Sequence, residues 1–139
     1  MSRHTLAIYV CLLLIKNNQV LLLKRKNTGY MDGYWHVPGG SLEENESLSH
    51  AVAREGQEEL GIQVDPTQVK LFYIRHLNAQ TLGFYFLAPE WEGEPKNNEP
   101  EKCTEIAWFY LDELPKEMSH FARIVVESYK SGVQYSYFE

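Results

Sequence analysis

One charged segment limits the fold of this chain more than any other. Residues 39–62 are GGSLEENESLSHAVAREGQEELGI, and the stretch after Ser47 contains neither proline nor a run of β-branched residues. Ser47 is a typical helix N-cap and Gly61 is typical of the residue that ends a helix in a left-handed conformation. The segment therefore predicts a helix of about fourteen residues, which would span roughly 21 Å.

The acidic residues of this predicted helix share one face. At 100° per residue, Glu55, Glu58 and Glu59 fall within an arc of about 100° and continue the apolar stripe of Leu48 and Val52. Carboxylates roughly 6 Å apart repel by about 3 kcal/mol per pair at an effective dielectric constant near 20. A divalent cation would offset that cost, and carboxylate oxygens suit Mg²⁺ or Mn²⁺. For an isolated EGQEE run, a solvated helix surface is the alternative.

The spacing of fixed residues around the helix decides between these alternatives. Glycine, glutamate and arginine recur at set intervals: Gly40, Glu46, Arg54, Glu55, Glu58, Glu59 and Gly61. This pattern resembles the Nudix box, G-x5-E-x7-R-E-U-x-E-E-x-G-U, of the MutT-type nucleoside diphosphate-X hydrolases. All the fixed letters match, which makes the resemblance highly specific. One departure is Gly56, where the family usually has an aliphatic residue, and we expect it to allow close packing of the helix on a sheet.

The resemblance implies a fold, a metal site and a reaction. The fold is an α/β/α sandwich around a mixed β-sheet, and we expect one domain over residues 1–139. The reaction is Mg²⁺-dependent cleavage of a diphosphate linkage, with Mn²⁺ as the alternative metal. By the same resemblance, Arg54 and Glu46 pair and orient the cluster. The implied metal ligands are Glu55, Glu58, Glu59 and the backbone carbonyl of Gly40.

The attacking water must lose a proton, and the resemblance leaves two sources for the base. It is either a glutamate of the box or an acidic residue of a mobile loop. The loop NNEPEKCTE offers Glu99, Glu101 and Glu105. Each of these has a simpler interpretation as a solvated loop residue, because loops are polar by default.

Six residues are candidates for substrate binding. Arg25 ends the second predicted strand, where MutT-like proteins use an arginine on the substrate phosphate, although a solubilising charge at a strand end is an equal alternative. His36 is a candidate for phosphate binding. Tyr30 and Trp35, together with Tyr34 and Tyr85, are candidates for stacking a base, although aromatic residues of a sheet more often belong to the core.

The rest of the chain predicts strands and a second helix. The Asn-Asn pair at 17–18 predicts a hairpin between two apolar strands, and the residues NAQ at 78–80 predict another. A short strand is expected at 34–37, and a further one at 106–111. A final helix is predicted after Ser119, and its apolar stripe comprises Phe121, Ile124, Val125 and Tyr129.

Composition excludes several classes of function. With 139 residues and 44% hydrophobic residues, the chain has enough apolar material for one core. Its net charge of -6 argues against a protein that coats nucleic acids. The apolar run TLAIYVCLLLI is too short to span a bilayer. Two widely spaced cysteines are consistent with a reduced, cytoplasmic protein. A homodimer is left open.

Three functional hypotheses follow. The first is a Nudix pyrophosphohydrolase that acts on a nucleoside triphosphate or on a nucleoside diphosphate linked to another group. The second is an ADP-ribose or nucleotide-sugar pyrophosphatase. The third is a nucleotide-sensing module that has the fold without turnover, against which the intact Glu55, Glu58 and Glu59 argue.

Overall fold

The computed structural model describes residues 3–139, which form eight strands and two helices. In chain order the elements are β1 (Ala7–Lys16), β2 (Gln19–Arg25), β3 (Trp35–His36), β4 (Gly39–Ser41), α1 (Leu48–Leu60), β5 (Lys70–Leu77), β6 (Thr81–Ala88), β7 (Cys103–Tyr110), α2 (His120–Ser131) and β8 (Tyr135–Phe138).

The first hairpin divides the sheet into two parts. Asn17 and Asn18 have φ angles of 53° and 62°, which confirms the turn predicted from the Asn-Asn pair. Strands β1 and β2 pair only next to this turn and then separate. Beyond that point β1 pairs with β4 and, in parallel, with β6, whereas β2 pairs with β3 and β7. The separation leaves a cleft, and β4 lies along one side of it.

Each face of the sheet is covered by one helix. Alternate residues of β1 point to opposite faces, so Val10 and Leu12 pack in the same core as the α1 residue Val52. Cys11 and Leu13 pack in a second core, with Val125 of α2. The sheet contains both parallel and antiparallel pairs. These features confirm the α/β/α sandwich with a mixed sheet, and they explain why β1 is apolar along nearly its whole length.

Helix α1 has the predicted ends and a close approach to the sheet. The hydroxyl of Ser47 accepts a hydrogen bond from the His50 amide at 3.1 Å. At the other end, Gly61 has a φ of 67° and its amide donates to Gln57. A Cβ at Gly56 would lie 3.3 Å from the side chain of Leu12, which confirms the expected close packing. This packing holds the acidic residues of α1 against the end of the cleft.

Two strands and one helix face differ from the expectations. The sequence pattern did not predict β4, because its sequence GGS has no apolar alternation. It also did not predict β8, which pairs in parallel with β5. The predicted apolar stripe of α2 is partly wrong. Val125 is buried, and Ile124 and Tyr129 are half-buried against the same core, but Phe121 is not part of it. Ala122, Val126 and Ser128 are also buried and were not predicted. Phe121 instead lies over the guanidinium of Arg75.

Candidate functional site

A cavity of about 530 Å³ occupies the cleft between the two parts of the sheet. One wall is acidic and comes from α1 and the loop before β7. The other wall is basic and comes from the end of β2 and the same loop. The acidic wall comprises Glu55, Glu58, Glu59 and Glu99, and the basic wall comprises Lys24, Arg25 and Lys102. A cavity with two oppositely charged walls can hold a metal-bound polyanion between them.

Arg54 organises the acidic wall. Its Nε and Nη2 donate to the two carboxylate oxygens of Glu46 at 3.1 and 2.8 Å, which confirms the predicted pair. The remaining nitrogen, Nη1, lies 2.9 Å from Glu55 and 3.3 Å from Glu58. Nη2 also donates to the carbonyl of Ser41 in β4. These bonds lower the pKa of Glu46 and raise that of Arg54, so both groups stay charged.

Two glycines of β4 allow the strand to approach the carboxylates. A Cβ at Gly40 would lie 2.5 Å from Oε1 of Glu55, so a side chain at this position would displace that carboxylate. The amide of Gly39 donates to Oε1 of Glu59 at 2.9 Å. Gly39 also lies against β1, where a Cβ would be 2.4 Å from the carbonyl of Val10. Sequence analysis identified Gly40 but missed Gly39, although the adjacent pair of glycines was a visible signal of close backbone approach.

The carboxyl groups of Glu55 and Glu59 lie next to each other on α1. Glu55 is only 8% exposed. Burial raises the pKa of Glu59 well above its usual value, and the adjacent Glu55 carboxylate raises it further. Within residues 3–139, no three acidic, histidine or cysteine side chains converge as a ready metal site. Glu55 and Glu58 instead hydrogen-bond to Arg54.

Arg25, on the basic wall, is held by the loop that follows β2. Its Nε donates to the carbonyl of Tyr30 at 2.7 Å, and its guanidinium lies 5.4 Å from the centre of the Tyr30 ring. Nη2 donates to the hydroxyl of Thr28, which in turn donates to Asp32. The arginine is thus fixed in position by its own loop before any substrate binds. Lys24 and Lys102, which sequence analysis did not select, complete this wall.

The other substrate-binding candidates lie in three different environments: the cavity lining, the core and the surface. His36 lines the cavity, and its Nδ1 lies 2.7 Å from the hydroxyl of Ser119. Burial and the charges of Arg25 and Arg75 lower the pKa of His36 to about 4, so the ring is neutral at neutral pH. Trp35 is 7% exposed and packs edge-on against Phe109, which places it in the core. Tyr30 is 50% exposed beside Arg25.

The loop candidates for the base are also distinguished. Glu99 lines the cavity, whereas Glu101 lies outside its lining. Glu105 was predicted in the loop but lies in strand β7, also outside the lining. The side chain of Asn98 donates to the carbonyl of Glu58, which ties the loop to the end of α1. Partial burial raises the pKa of Glu99, and the Glu55 carboxylate adds to this shift while Lys102 opposes it.

Over residues 3–139, neither helix is long or apolar enough to cross a bilayer.

Known proteins resemble this chain over most of its length. A family model described as NUDIX domain matches residues 3–129. The chain is 40% identical over 101 residues to an 8-oxo-dGTP diphosphatase from Proteus vulgaris, covering 68% of this chain and 85% of that protein. It is 33% identical over 109 residues to an 8-oxo-dGTP diphosphatase from Escherichia coli K12, covering 72% and 80% of the two chains. A solved MutT NUDIX hydrolase from Burkholderia pseudomallei superposes with a TM-score of 0.80 at 31% identity, covering 89% of this chain and 98% of that one.

Proposed function

Because the chain belongs to the Nudix family and is a pyrophosphohydrolase, we propose that it hydrolyses a nucleoside triphosphate to a nucleoside monophosphate and inorganic pyrophosphate. The observation that carries this proposal is a single cavity lined both by the acidic Glu55, Glu58 and Glu59 and by the basic Lys24, Arg25 and Lys102. The two 8-oxo-dGTP diphosphatases that resemble the chain support oxidised dGTP as the first substrate to test.

The residues of the acidic wall fit a divalent metal. Their oxygens are the ligands that Mg²⁺ and Mn²⁺ prefer. Burial and the adjacent Glu55 carboxylate raise the pKa of Glu59, so a bound cation would offset the cost of ionising it. We assign Glu55, Glu58, Glu59 and the carbonyl of Gly40 as the ligands. When bound, the metal would lower the pKa of the attacking water and neutralise charge on the phosphate oxygens.

The chain's own residues have three tasks in this reaction. Arg54, held by Glu46, keeps the carboxylates of Glu55 and Glu58 on the cavity side of α1. Arg25, fixed by its contacts with Tyr30 and Thr28, neutralises phosphate charge across the cavity. Gly40 leaves room for the Glu55 carboxylate, because any side chain there would displace it.

Glu99 is the residue we assign as general base. It is the loop glutamate that lines the cavity, and its raised pKa brings it closer to the working pH than an exposed carboxylate would be. A proton leaving the water would pass to its carboxylate, which is ionised above its pKa. His36, which is neutral and bonded to Ser119, serves as a neutral hydrogen-bonding group and not as a cation for phosphate.

The proposal is tested by identifying the products formed from a panel of substrates with Mg²⁺ or Mn²⁺. The panel comprises the four deoxynucleoside triphosphates, 8-oxo-dGTP, ADP-ribose and a nucleotide sugar. From a nucleoside triphosphate and water, we expect the nucleoside monophosphate and inorganic pyrophosphate in equal amounts. Faster cleavage of ADP-ribose or the sugar would support the second hypothesis, and binding without turnover of any compound would support a sensing module. The cytoplasmic location and the homodimer stay predictions.

A further inference from the structure

Arg75 of β5 is a half-buried cation with two buried hydrogen-bond donors. Its Nε and Nη1 are shielded from solvent, yet no acceptor among residues 3–139 lies within hydrogen-bonding distance of either atom. The hydroxyl of Tyr73 is also buried without a hydrogen-bond partner in the described part of the chain. Buried donors without acceptors are unfavourable, and a charged one especially so. An acceptor supplied by a ligand would explain why such a group is present.

Aromatic rings surround this guanidinium. Its carbon Cζ lies 3.9 Å from the centre of the Phe121 ring and 5.9 Å from that of Tyr85. The partner of Arg75 on β6 is Gly83, where a Cβ would lie 2.9 Å from the Tyr85 ring. The absence of a side chain at Gly83 therefore allows the Tyr85 ring to lie beside Arg75. Aromatic faces next to a hydrogen-bond donor are a suitable environment for a planar base.

Arg75 lies on a row of residues that leads across the sheet from the cavity. Ser41 lines the cavity and pairs with Tyr9, which pairs with Gly83, which pairs with Arg75. Three strand spacings separate the ends of this row, or roughly 14 Å. The charge of Arg75 also contributes to the lowered pKa of His36 in the cavity wall. A ligand with its phosphates in the cavity can therefore extend towards Arg75.

The cavity itself is poorly suited to hold a base. Among the described residues, its lining contains charged, polar, glycine and small apolar residues but no phenylalanine, tyrosine or tryptophan. Both of its walls carry the charges that a metal-bound phosphate chain requires. The base of a nucleotide bound there must therefore be recognised next to the cavity and not in it.

We propose that Arg75 determines base specificity by donating to the carbonyl oxygen of a keto base, namely guanine, its oxidised form or thymine. A guanidinium has donors and no acceptor. Guanine and thymine present a carbonyl oxygen where adenine and cytosine present an amino group, which would face Arg75 as a second donor. This inference rests on the proposed function, since it places the base of that substrate.

The kinetic test compares wild type with Arg75→Met, which removes the donors and keeps an unbranched side chain. We expect kcat/KM for dGTP relative to dATP, and for dTTP relative to dCTP, to fall by about 10- to 100-fold, mostly through KM. Arg75→Lys, which retains a donor, should recover part of the preference. Arg123→Met is the matched control, because Arg123 donates to the carbonyl of Pro115 and does not line the cavity.

A binding measurement separates failure of this inference from failure of the proposed function. Calorimetric titration with dGMP and dAMP requires no turnover, and wild type should bind dGMP more tightly, by a margin that Arg75→Met abolishes. If wild type binds both monophosphates with this preference but cleaves no triphosphate, only the proposed function fails. If Arg75→Met keeps the wild-type ratio, or weakens dGMP and dAMP equally while its thermal melt shows a folded protein, the role of Arg75 in base specificity is overturned.

Discussion

Helices α1 and α2 have the same types of cap but differ in the residues that they bury. Each follows a serine N-cap, Ser47 or Ser119, and each ends at a glycine of positive φ, Gly61 or Gly132. They cover opposite faces of one sheet. The buried face of α2 carries small and apolar side chains, whereas that of α1 also carries Glu55, which is 8% exposed. Caps and apolar contacts are thus common to both helices, and a buried carboxylate marks the helix that forms the site.

The first way to break this comparison is to neutralise one carboxylate on each helix. We expect Glu58→Gln on α1 to lower kcat/KM by at least about 100-fold, because the proposed metal site loses a charged ligand. Glu127→Gln on α2, at an exposed position, should leave turnover unchanged. Rates over a range of Mg²⁺ concentrations would show the loss, and normal turnover by Glu58→Gln would mean that this glutamate is a surface residue.

A second comparison lies within the loop before β7. Glu99→Gln should lower kcat by about 100-fold or more with little change in the Mg²⁺ concentration needed for half-maximal rate, because a base is lost and the metal ligands remain. Glu101→Gln is the control, since Glu101 lies outside the cavity lining. In wild type, the raised pKa of Glu99 should appear as a loss of kcat when the pH falls through that pKa. Unchanged kcat in Glu99→Gln would place the base within α1.

A third comparison uses one glycine near each helix. In Gly40→Ala the new Cβ would lie 2.5 Å from the Glu55 carboxylate, so we expect about a tenfold loss of kcat/KM with a small change in melting temperature. Gly132→Ala strains a residue with a φ of 82° but contacts nothing within 4 Å. It should cost about 1 kcal/mol of stability and leave activity intact. Equal activity in the two variants would show that the position of Glu55 is unimportant.

Much of this site was predictable because its residues lie on one helix with set spacing. Arg54, Glu46 and the three glutamates of α1 follow from the sequence pattern, and the caps at Ser47 and Gly61 follow from local chemistry. Residues brought in by tertiary contacts were not predictable in this way. Gly39 belongs to a strand without apolar alternation, and Lys24 and Lys102 look like ordinary surface lysines until the fold places them beside the cavity.

The aromatic residues show the same limit. Trp35 and Tyr85 are both aromatic residues in strand patterns. Only packing distinguishes Trp35, whose ring contacts Phe109, from Tyr85, whose ring lies beside Arg75. The predicted stripe of α2 was wrong at Phe121, the largest apolar residue of its first turn, because this ring lies over a cation and not in the core. Side-chain size alone could not reveal that partner.

The smallest expected effect concerns the stability of the metal-free protein. Burial and the Glu55 carboxylate raise the pKa of Glu59 above its usual value of 4.5, so the folded state holds a proton that the unfolded state has released. A carboxyl with a raised folded pKa makes unfolding easier as pH rises from about 4.5 through that folded pKa. Below about pH 4.5 both states are protonated and the penalty disappears.

Glu59→Gln should remove this penalty while keeping an oxygen for the amide of Gly39. We expect the metal-free variant to melt at the same temperature as wild type near pH 4.5 and a few degrees higher at pH 8, at about 2–4 °C per kcal/mol. With Mg²⁺ at pH 8 the order should reverse, because wild type gains the stabilisation that cation binding gives the folded state and the variant loses part of it. Thermal melts at both pH values, with Mg²⁺ or with a chelator, measure all four cases. A variant that is less stable than wild type at pH 8 without metal would mean that Glu59 supports the fold of α1 as the apolar residues of α2 do, and the contrast between the two helices would fail.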